Sequence, residues 1–477
     1  MDFDYIMIKF NKDKYLRKLK IKRYWHTNSR YFYIGIPCLL CLVLGIYFAY
    51  SKFFVTGEEE VIRTTVGEFI YGDIIMTPYV DGQYSSTFPE KKAGINVEKV
   101  VCDNGVTASW DEDKWGLYVT NLSKRTKCSV YFVTPNSCGI NDNVSCINSR
   151  EGLANLANEV NNGDNKSGKI IYLTSDLDLG GKFDGDGNAL DGNISWTPIG
   201  TENNPFSGTF DGNGHIISNM YINADDSAAF FYRVVNSSIK NLGIENSYVQ
   251  SKNGAASALI STAVYTKVHA VYASVMLNGQ KMTSGLVSYA TGLNIKNSYN
   301  TGNITSNDKQ FGAGIIGYLG LDSSVVENCY NLGNLSGGTQ SGGIVGGLQG
   351  VVKNTYNIGN ITGNSGRGGI VGQIYTLTSP TVMNNYSAGI INDGGGIVDS
   401  YFGDKKDYLI QNNFYLQGSA SYGVSFLQSN IGAEPLSEDE MPSVISVING
   451  DNAFVEDTNN INNGYPILKW QAERENN

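Results

Sequence analysis

A phrase that returns four times constrains this chain more than any other feature. Four glycine clusters stand at Ser284-Gly285-Leu286-Val287, Gly312-Ala313-Gly314-Ile315-Ile316-Gly317, Gly342-Gly343-Ile344-Val345-Gly346 and Gly368-Gly369-Ile370-Val371-Gly372. Each precedes an asparagine-tyrosine phrase: Asn297-Ser298-Tyr299-Asn300, Asn328-Cys329-Tyr330-Asn331, Asn354-Thr355-Tyr356-Asn357 and Asn384-Asn385-Tyr386-Ser387. Successive tyrosines are 31, 26 and 30 residues apart. A period of that size means a repeat architecture, in which each unit packs only on its neighbours.

Within one unit the residues alternate. Val352, Asn354, Tyr356 and Ile358 fall on one face, with Lys353, Thr355 and Asn357 on the other. Period two is the signature of a strand. The second face carries Lys296, Glu327 and Lys353 in successive units, and uncompensated charge is costly to bury, so that face is expected outside. The inner face would then stack aliphatic on aliphatic, Asn on Asn and Tyr on Tyr. An alternative puts the tyrosines outward and Ser298, Cys329, Thr355 and Asn385 inward, if a corner bend resets the alternation. Two or three short strands per unit, with Gly-Asn corners, is the size of one coil of a parallel β-helix.

The Gly-Gly-Ile-Val-Gly clusters and the neighbouring Asn-x-Tyr-Asn-x-Gly-Asn phrase resemble the GLUG repeat of bacterial secreted and surface proteins. The clear matches cover about 285–392. The resemblance implies a right-handed β-helix in an adhesin-like protein. It identifies a scaffold well and an activity poorly. Ser207–Ile217 carries Phe-Asp-Gly-Asn-Gly-His-x-Ile, a phrase that often opens such helices, and Gly464-Tyr465-Pro466-Ile467-Leu468-Lys469-Trp470 resembles a terminal phrase of the same family.

The rest of the chain places this scaffold. Residues 1–30 are strongly basic and read as a cytoplasmic segment. Residues 31–50, which begin with Tyr31 and end with Tyr50, are uncharged and mostly apolar, long enough to span a bilayer as a helix. Glu58, Glu59 and Glu60 follow, so the positive-inside rule predicts an uncleaved signal anchor with the C-terminal part outside the cell. The net charge of −10 argues against a nucleic-acid partner. Residues 51–136 read as a stalk and a small β domain. Outside the cytoplasm, Cys102 and Cys128 on its first and last strands are expected to form a disulfide, and Cys138 and Cys146 a local one. A helix follows, with Asn148 as its cap, Glu151 as capping-box partner and Leu153, Leu156, Ala157 and Val160 as its apolar stripe. It is expected to close the open end of the solenoid. The expected architecture is therefore all-β. A parallel β-helix over 137–425, with an N-terminal capping helix, follows a small β domain and a single transmembrane helix, and 426–477 forms a C-terminal cap on the last coil.

Chemistry is thinly signalled. Asp184, Asp186 and Asn188 alternate with glycines, as oxygen ligands for calcium do, although Ala189 and Ser195 depart from the EF-hand pattern. Asp176, Asp178 and Asp211 could serve a polysaccharide-cleaving enzyme only if two of them flanked a bond. The histidines are His26, His215 and His269, which offer no zinc-peptidase motif. Cys329 stands where other units have Ser, Thr or Asn, and reads as a small strand residue. The leading expectation is a membrane-anchored, non-catalytic protein that presents the repeat surface to a glycan or protein. A carbohydrate-active β-helix enzyme and a purely structural envelope protein are the alternatives. Any specific function is expected in the interruptions: the 180–206 loop, the turns near 303–311 and 375–381, or the small disulfide domain.

Overall fold

The computed structural model describes residues 69–76, 84–85, 94–102, 107–112, 115–120 and 126–475, apart from 308–309, 364, 404–406 and 450–451. The basic segment and the apolar span 31–50 lie outside the described residues. Among those described, no helix is long and apolar enough to cross a membrane. The chain divides into two compact units, Met1–Asp142 and Asn143–Asn477.

In the first unit, Thr126–Val133 pairs antiparallel with both Phe69–Met76 and Asn96–Cys102. Cys102 lies opposite Cys128 and is bonded to it. The strand Phe69–Met76 falls in the stretch expected to be a stalk, so part of that stretch belongs to the domain. The core is Leu117, Cys128, Val130 and Phe132, with Trp110 and Trp115 against it. So small a core is short of apolar area, and a disulfide typically adds about 2–4 kcal/mol. Cys138 and Cys146 are also disulfide-bonded.

The second unit is a parallel β-solenoid of about ten turns. One coil, from Asn294, contains the strands Asn294–Lys296, Tyr299–Asn300, Ile304–Ser306, Phe311–Ala313 and Ile316–Gly320. That is more than the two or three the repeat length suggested, because each wall is broken by corners into very short pieces. The first three strands of this coil stack into one sheet and the last two into another.

The corners decide which residues face inward. Asn297, Asn328, Asn354, Asn384 and Asn412 all adopt the left-handed conformation, with φ between 51° and 55°. Asparagine tolerates this region better than most residues. Its amide adds a bond between coils: Asn384 Nδ2 donates to Asn354 Oδ1 at 3.2 Å, and Asn412 Nδ2 to Asn384 Oδ1 at 2.8 Å. A left-handed residue interrupts the pleat. Val352 points in, Asn354 turns the corner, and Thr355 rather than Tyr356 points in next. The primary reading of the inner face is thereby corrected, and the corner-reset alternative describes the molecule. Cys329 and Val352 belong to the solenoid core, whereas Tyr299, Tyr330, Tyr356 and Tyr386 form a separate cluster. One column of asparagines stacked inside is Asn300, Asn331 and Asn357. Asn300 Nδ2 donates to Asn331 Oδ1 at 2.9 Å, Asn331 Nδ2 to Asn357 Oδ1 at 2.8 Å, and each also reaches a glycine carbonyl two residues on. Buried amides are thus satisfied by their own column.

The two ends differ. Helix α1, Arg150–Asn161, buries Leu153, Leu156, Ala157 and Val160 in the solenoid core, as the stripe predicted. Its cap is Ser149, which accepts from Gly152 N at 3.1 Å, one residue after the expected Asn148. Asn161 ties the helix to the next loop by accepting from Gly200 N and donating to Pro198 O. At the far end the expected cap on the last coil is absent from that position. The last coil finishes in Ala433–Leu436, whose Glu434 and Pro435 discourage pairing at an edge. Residues 437–475 instead turn back along the side of the solenoid. Trp470 Nε1 donates to Asn297 O at 2.9 Å, five coils before the end, and its ring lies 5.8 Å from that of Tyr299. The tail is a lateral strap, carrying the short helices α2, Ile445–Ile448, and α3, Lys469–Glu475.

Candidate functional site

Each outward column of the solenoid can be followed from coil to coil, and its burial and charge show what it can do. The first column is the tyrosine ladder beneath the strap. Tyr272, Tyr299, Tyr330, Tyr356 and Tyr386 stack with ring centroids 4.7–5.0 Å apart. The strap covers them with Met441, Val444, Ile448, Phe454 and Leu468. Tyr330 Oη donates to Gln471 Oε1 at 2.6 Å, Tyr356 Oη donates to Pro466 O, and Asn462 Nδ2 donates to Tyr356 Oη at 2.6 Å. Burial, with the neighbouring phenols, holds Tyr330 and Tyr356 well above the ordinary tyrosine range, so neither ionises. Arg474 lies 4.4 Å above the Tyr272 ring, whose hydroxyl bonds Glu245. This column is filled, and it serves stability.

The second column is charged. Its order is Asp211, Lys240, His269, Lys296, Glu327, Lys353, Met383 and Gln411. It points away from the core, as expected, but it is not freely exposed. The Glu327 side chain is only 4% exposed, with Lys296 Nζ at 3.1 Å and Lys353 Nζ at 2.6 Å. Burial raises the Glu327 carboxyl, and the two lysines outweigh it and hold it below the ordinary glutamate value. The three residues form an ion ladder across three coils.

The carboxylates singled out from the sequence serve local turns. Asp176 Oδ1 lies 3.0 Å from His215 Nδ1 and accepts from Ile216 N; Asp178 Oδ1 accepts from Gly180 N; buried Asp211 accepts from Asn213 N and Asn241 Nδ2. Asp184 Oδ1 accepts from Asp186 N at 3.0 Å and Asn188 N at 2.8 Å, and Asn188 Nδ2 donates to Asp184 Oδ2 at 3.0 Å. Asp184 therefore organises its own loop. Among the described residues no group of three or more His, Cys, Asp or Glu side chains is placed to hold a metal ion. Cys329 is fully buried, and burial pushes its thiol up to about 12, which makes it a packing residue and not a thiolate.

The third column is open. On the second sheet the outward positions run Arg233, Thr262, Tyr289, Tyr318, Gly347, Gln373 and Ser400. Tyr289 and Tyr318 stack at 5.4 Å. Phe311, the first residue of its strand, packs 5.4 Å from Tyr318, and Tyr375, the last residue of the strand Val371–Tyr375, packs 5.6 Å from Tyr318 and 6.1 Å from Phe311. Phe402 extends the row, 5.6 Å from Tyr375. Gly347 makes this possible: a Cβ there would lie 2.7 Å from the Phe311 ring and 2.8 Å from that of Tyr318. Both rings settle into the space a side chain would fill. Tyr289 is 37% exposed, Phe402 59% and nearby Leu377 70%. Phe311, Tyr318 and Tyr375 between them are half-buried against one another. Burial, with Tyr289 and Tyr375 alongside, pushes the Tyr318 phenol up to about 12, and burial raises that of Tyr375.

Tyr289 and Tyr318 were not among the residues the sequence singled out. A signal was present. Each follows its glycine cluster at the same offset, where Gly347 and Gln373 stand in the next two coils.

No family model matches the chain, and no curated protein is similar to it. The likeness to the GLUG repeat therefore rests on the repeated phrase alone, and the parallel β-solenoid is what the structure bears out. Among solved structures, the chain is similar to a Bacteroides ovatus protein proposed to be an immunoglobulin A1 protease, with 18% identity and a TM-score of 0.43. The match covers 68% of this chain and 92% of that one.

Proposed function

We propose that this chain is a surface protein whose solenoid presents a binding face, in an adhesin-like role, to a glycan or protein ligand. The observation that carries the reading is the open aromatic strip from Tyr289 to Phe402. Aromatic side chains offer a large contact area at low entropic cost, and they are enriched where proteins meet ligands. The reading takes the chain as a binder and not a catalyst, retained at the membrane through residues 31–50. The test is binding of the full-length protein to glycan arrays and immobilised matrix proteins, beside the double variant Tyr318→Ala/Phe402→Ala. Binding by the wild type and loss in the double variant is the expected result. Equal binding by both would remove the strip as the site. For the anchor, deletion of 31–50 is expected to move the protein from the membrane fraction to the soluble one.

A further inference from the structure

We infer that the strap, residues 437–475, is a hinged lid that opens as one unit and uncovers the tyrosine ladder while the solenoid stays folded. The two parts are held in different ways. Neighbouring coils are joined by parallel backbone pairing, as where Val325–Glu327 pairs with Val351–Lys353 and Tyr330–Asn331 with Tyr356–Asn357. The strap has a sheet of its own, in which Phe454–Val455 pairs antiparallel with Ile467–Leu468, separate from both solenoid sheets. Its bonds to the ladder run through side chains: Tyr330 Oη reaches Gln471, Tyr356 Oη meets Pro466 O and Asn462 Nδ2, and Trp470 Nε1 reaches Asn297 O. Apolar contact from Met441, Val444, Ile448, Phe454 and Leu468 completes the seat. Proteins open in cooperative units that follow such divisions, and a segment seated by side chains parts more readily than coils woven together by backbone pairing.

The strap is braced within itself. Asn449 Nδ2 donates to Phe454 O and Asn449 Oδ1 accepts from Phe454 N, each at 2.8 Å. The Asp457 carboxylate accepts from Ile461 N at 2.7 Å, Asn462 N at 2.6 Å and Gly464 N at 3.0 Å. Lys469 N donates to Ala453 O at 2.8 Å. These bonds stay intact when the strap lifts. Its link to the last coil is short: Leu436 still pairs with Leu416, and Glu438, Asp439 and Glu440 after it are exposed. The other end is a latch, with Trp470 on Asn297 and the Tyr299 ring and Arg474 over the Tyr272 ring. Release of the latch lets the lid swing on its link. Opening uncovers Tyr272, Tyr299, Tyr330, Tyr356 and Tyr386, which stand in register from coil to coil with ring planes within 14° of parallel.

Cys329 supplies an internal control. It precedes Tyr330 in the chain, yet it is fully buried in the solenoid core, so its alkylation reports opening of the coils. Two full-length variants, Leu468→Cys on the lid and Tyr330→Cys on the ladder, place a thiol at the seat between lid and ladder. Each is treated with N-ethylmaleimide under native conditions, and labelling at each cysteine is followed by peptide mass mapping. Both reporters are expected to react at least about tenfold faster than Cys329. Trp470→Phe, added to either, removes the bond to Asn297 and keeps a ring against Tyr299. It should speed the reporter several-fold and leave the Cys329 rate unchanged. Reporters and Cys329 that react at one common rate overturn the inference, because the strap then opens only when the solenoid unfolds. A Cys329 rate that rises in step with the reporter in Trp470→Phe overturns it as well.

Discussion

Two columns of aromatic residues run along this solenoid, and only one is covered. Tyr272, Tyr299, Tyr330, Tyr356 and Tyr386 are each under 5% exposed beneath the strap, and hydroxyls along the row bond to the strap or to Glu245. Tyr289, Tyr318, Phe311, Tyr375 and Phe402 meet at 5.4–6.1 Å, mostly tilted or edge-on, with Tyr289 and Phe402 exposed and the other three half-buried. In the first column stacking and burial act together, and each stack is worth about 0.5–1.5 kcal/mol beyond the area removed from water. In the second, part of the apolar area stays in contact with water, so the same side chains contribute less to stability. What separates the two columns is the tail that lies over one of them.

The comparison breaks most visibly if the cover is removed. Ending the chain after Leu436 uncovers the tyrosine ladder across five coils. We expect a large rise in dye binding to exposed apolar surface and concentration-dependent aggregation, read by anilinonaphthalene sulfonate fluorescence and light scattering. A truncated protein that stays monodisperse with the original melting temperature would show that the strap does not stabilise the ladder. Within the ladder, Tyr356→Ala removes a fully buried ring and its bonds to Pro466 and Asn462. A loss of about 3–5 kcal/mol in denaturant unfolding is expected, in the range of aromatic truncations in cores. Tyr318→Ala on the open strip should cost only about 1 kcal/mol. Similar costs at the two positions would erase the distinction.

A smaller effect lies in the charged column. Glu327→Gln leaves Lys296 and Lys353 without their shared carboxylate, at an expected cost of about 1.5–3 kcal/mol. The folded-state carboxyl is held below the ordinary glutamate value of 4.5, so its contribution is complete above that value and is lost as pH falls through the lower folded value. The stability gap between wild type and variant should therefore be constant near neutrality and close under acid conditions. Unfolding midpoints of both proteins across an acid-to-neutral series check this. A gap that widens with acid would reverse the sign argued here.

The repeat made the solenoid legible because glycine clusters and Asn-Tyr phrases recur once per coil, and nothing but stacking gives that period. Inner and outer faces were harder. Strict alternation placed Tyr356 inside, and one left-handed residue at Asn354 turned it out. Such a corner leaves no mark in hydropathy, since it shifts every later residue by one face. The helix at 150–161 was legible because its cap, stripe and stop are local. The strap was not: Trp470 contacts Asn297, and no local pattern encodes a partner 173 residues away. The open strip lay between these cases. Its tyrosines are in register in the sequence, yet whether they are covered depends on a tail whose path only the folded chain reveals.

The smallest effect concerns a second cover, and it separates a packing loop from a metal site. Tyr221 and Tyr248 stack at 5.8 Å, and the loop of residues 180–193 lies over them through Phe183, 5.9 Å from each ring. Tyr221 Oη donates to Gly187 O, and a side chain at Gly187 would strike the Tyr248 ring at 2.1 Å. This cover is therefore built around a glycine, and Asp184 shapes it by accepting from Asp186, Asn188 and the Asn188 amide. Those bonds, above all from the Asn188 side chain, hold the Asp184 carboxyl below the ordinary aspartate value with no cation required. If the loop is a cover, millimolar calcium should produce no heat on titration and move the melting temperature by less than about a degree. Gly187→Ala should then lower the melting temperature by forcing the loop off the two rings. Should calcium give a saturable heat that Asp184→Asn abolishes, the loop is a cation site that also covers the tyrosines. The distinction between covered and open columns would then depend on calcium at this end of the solenoid.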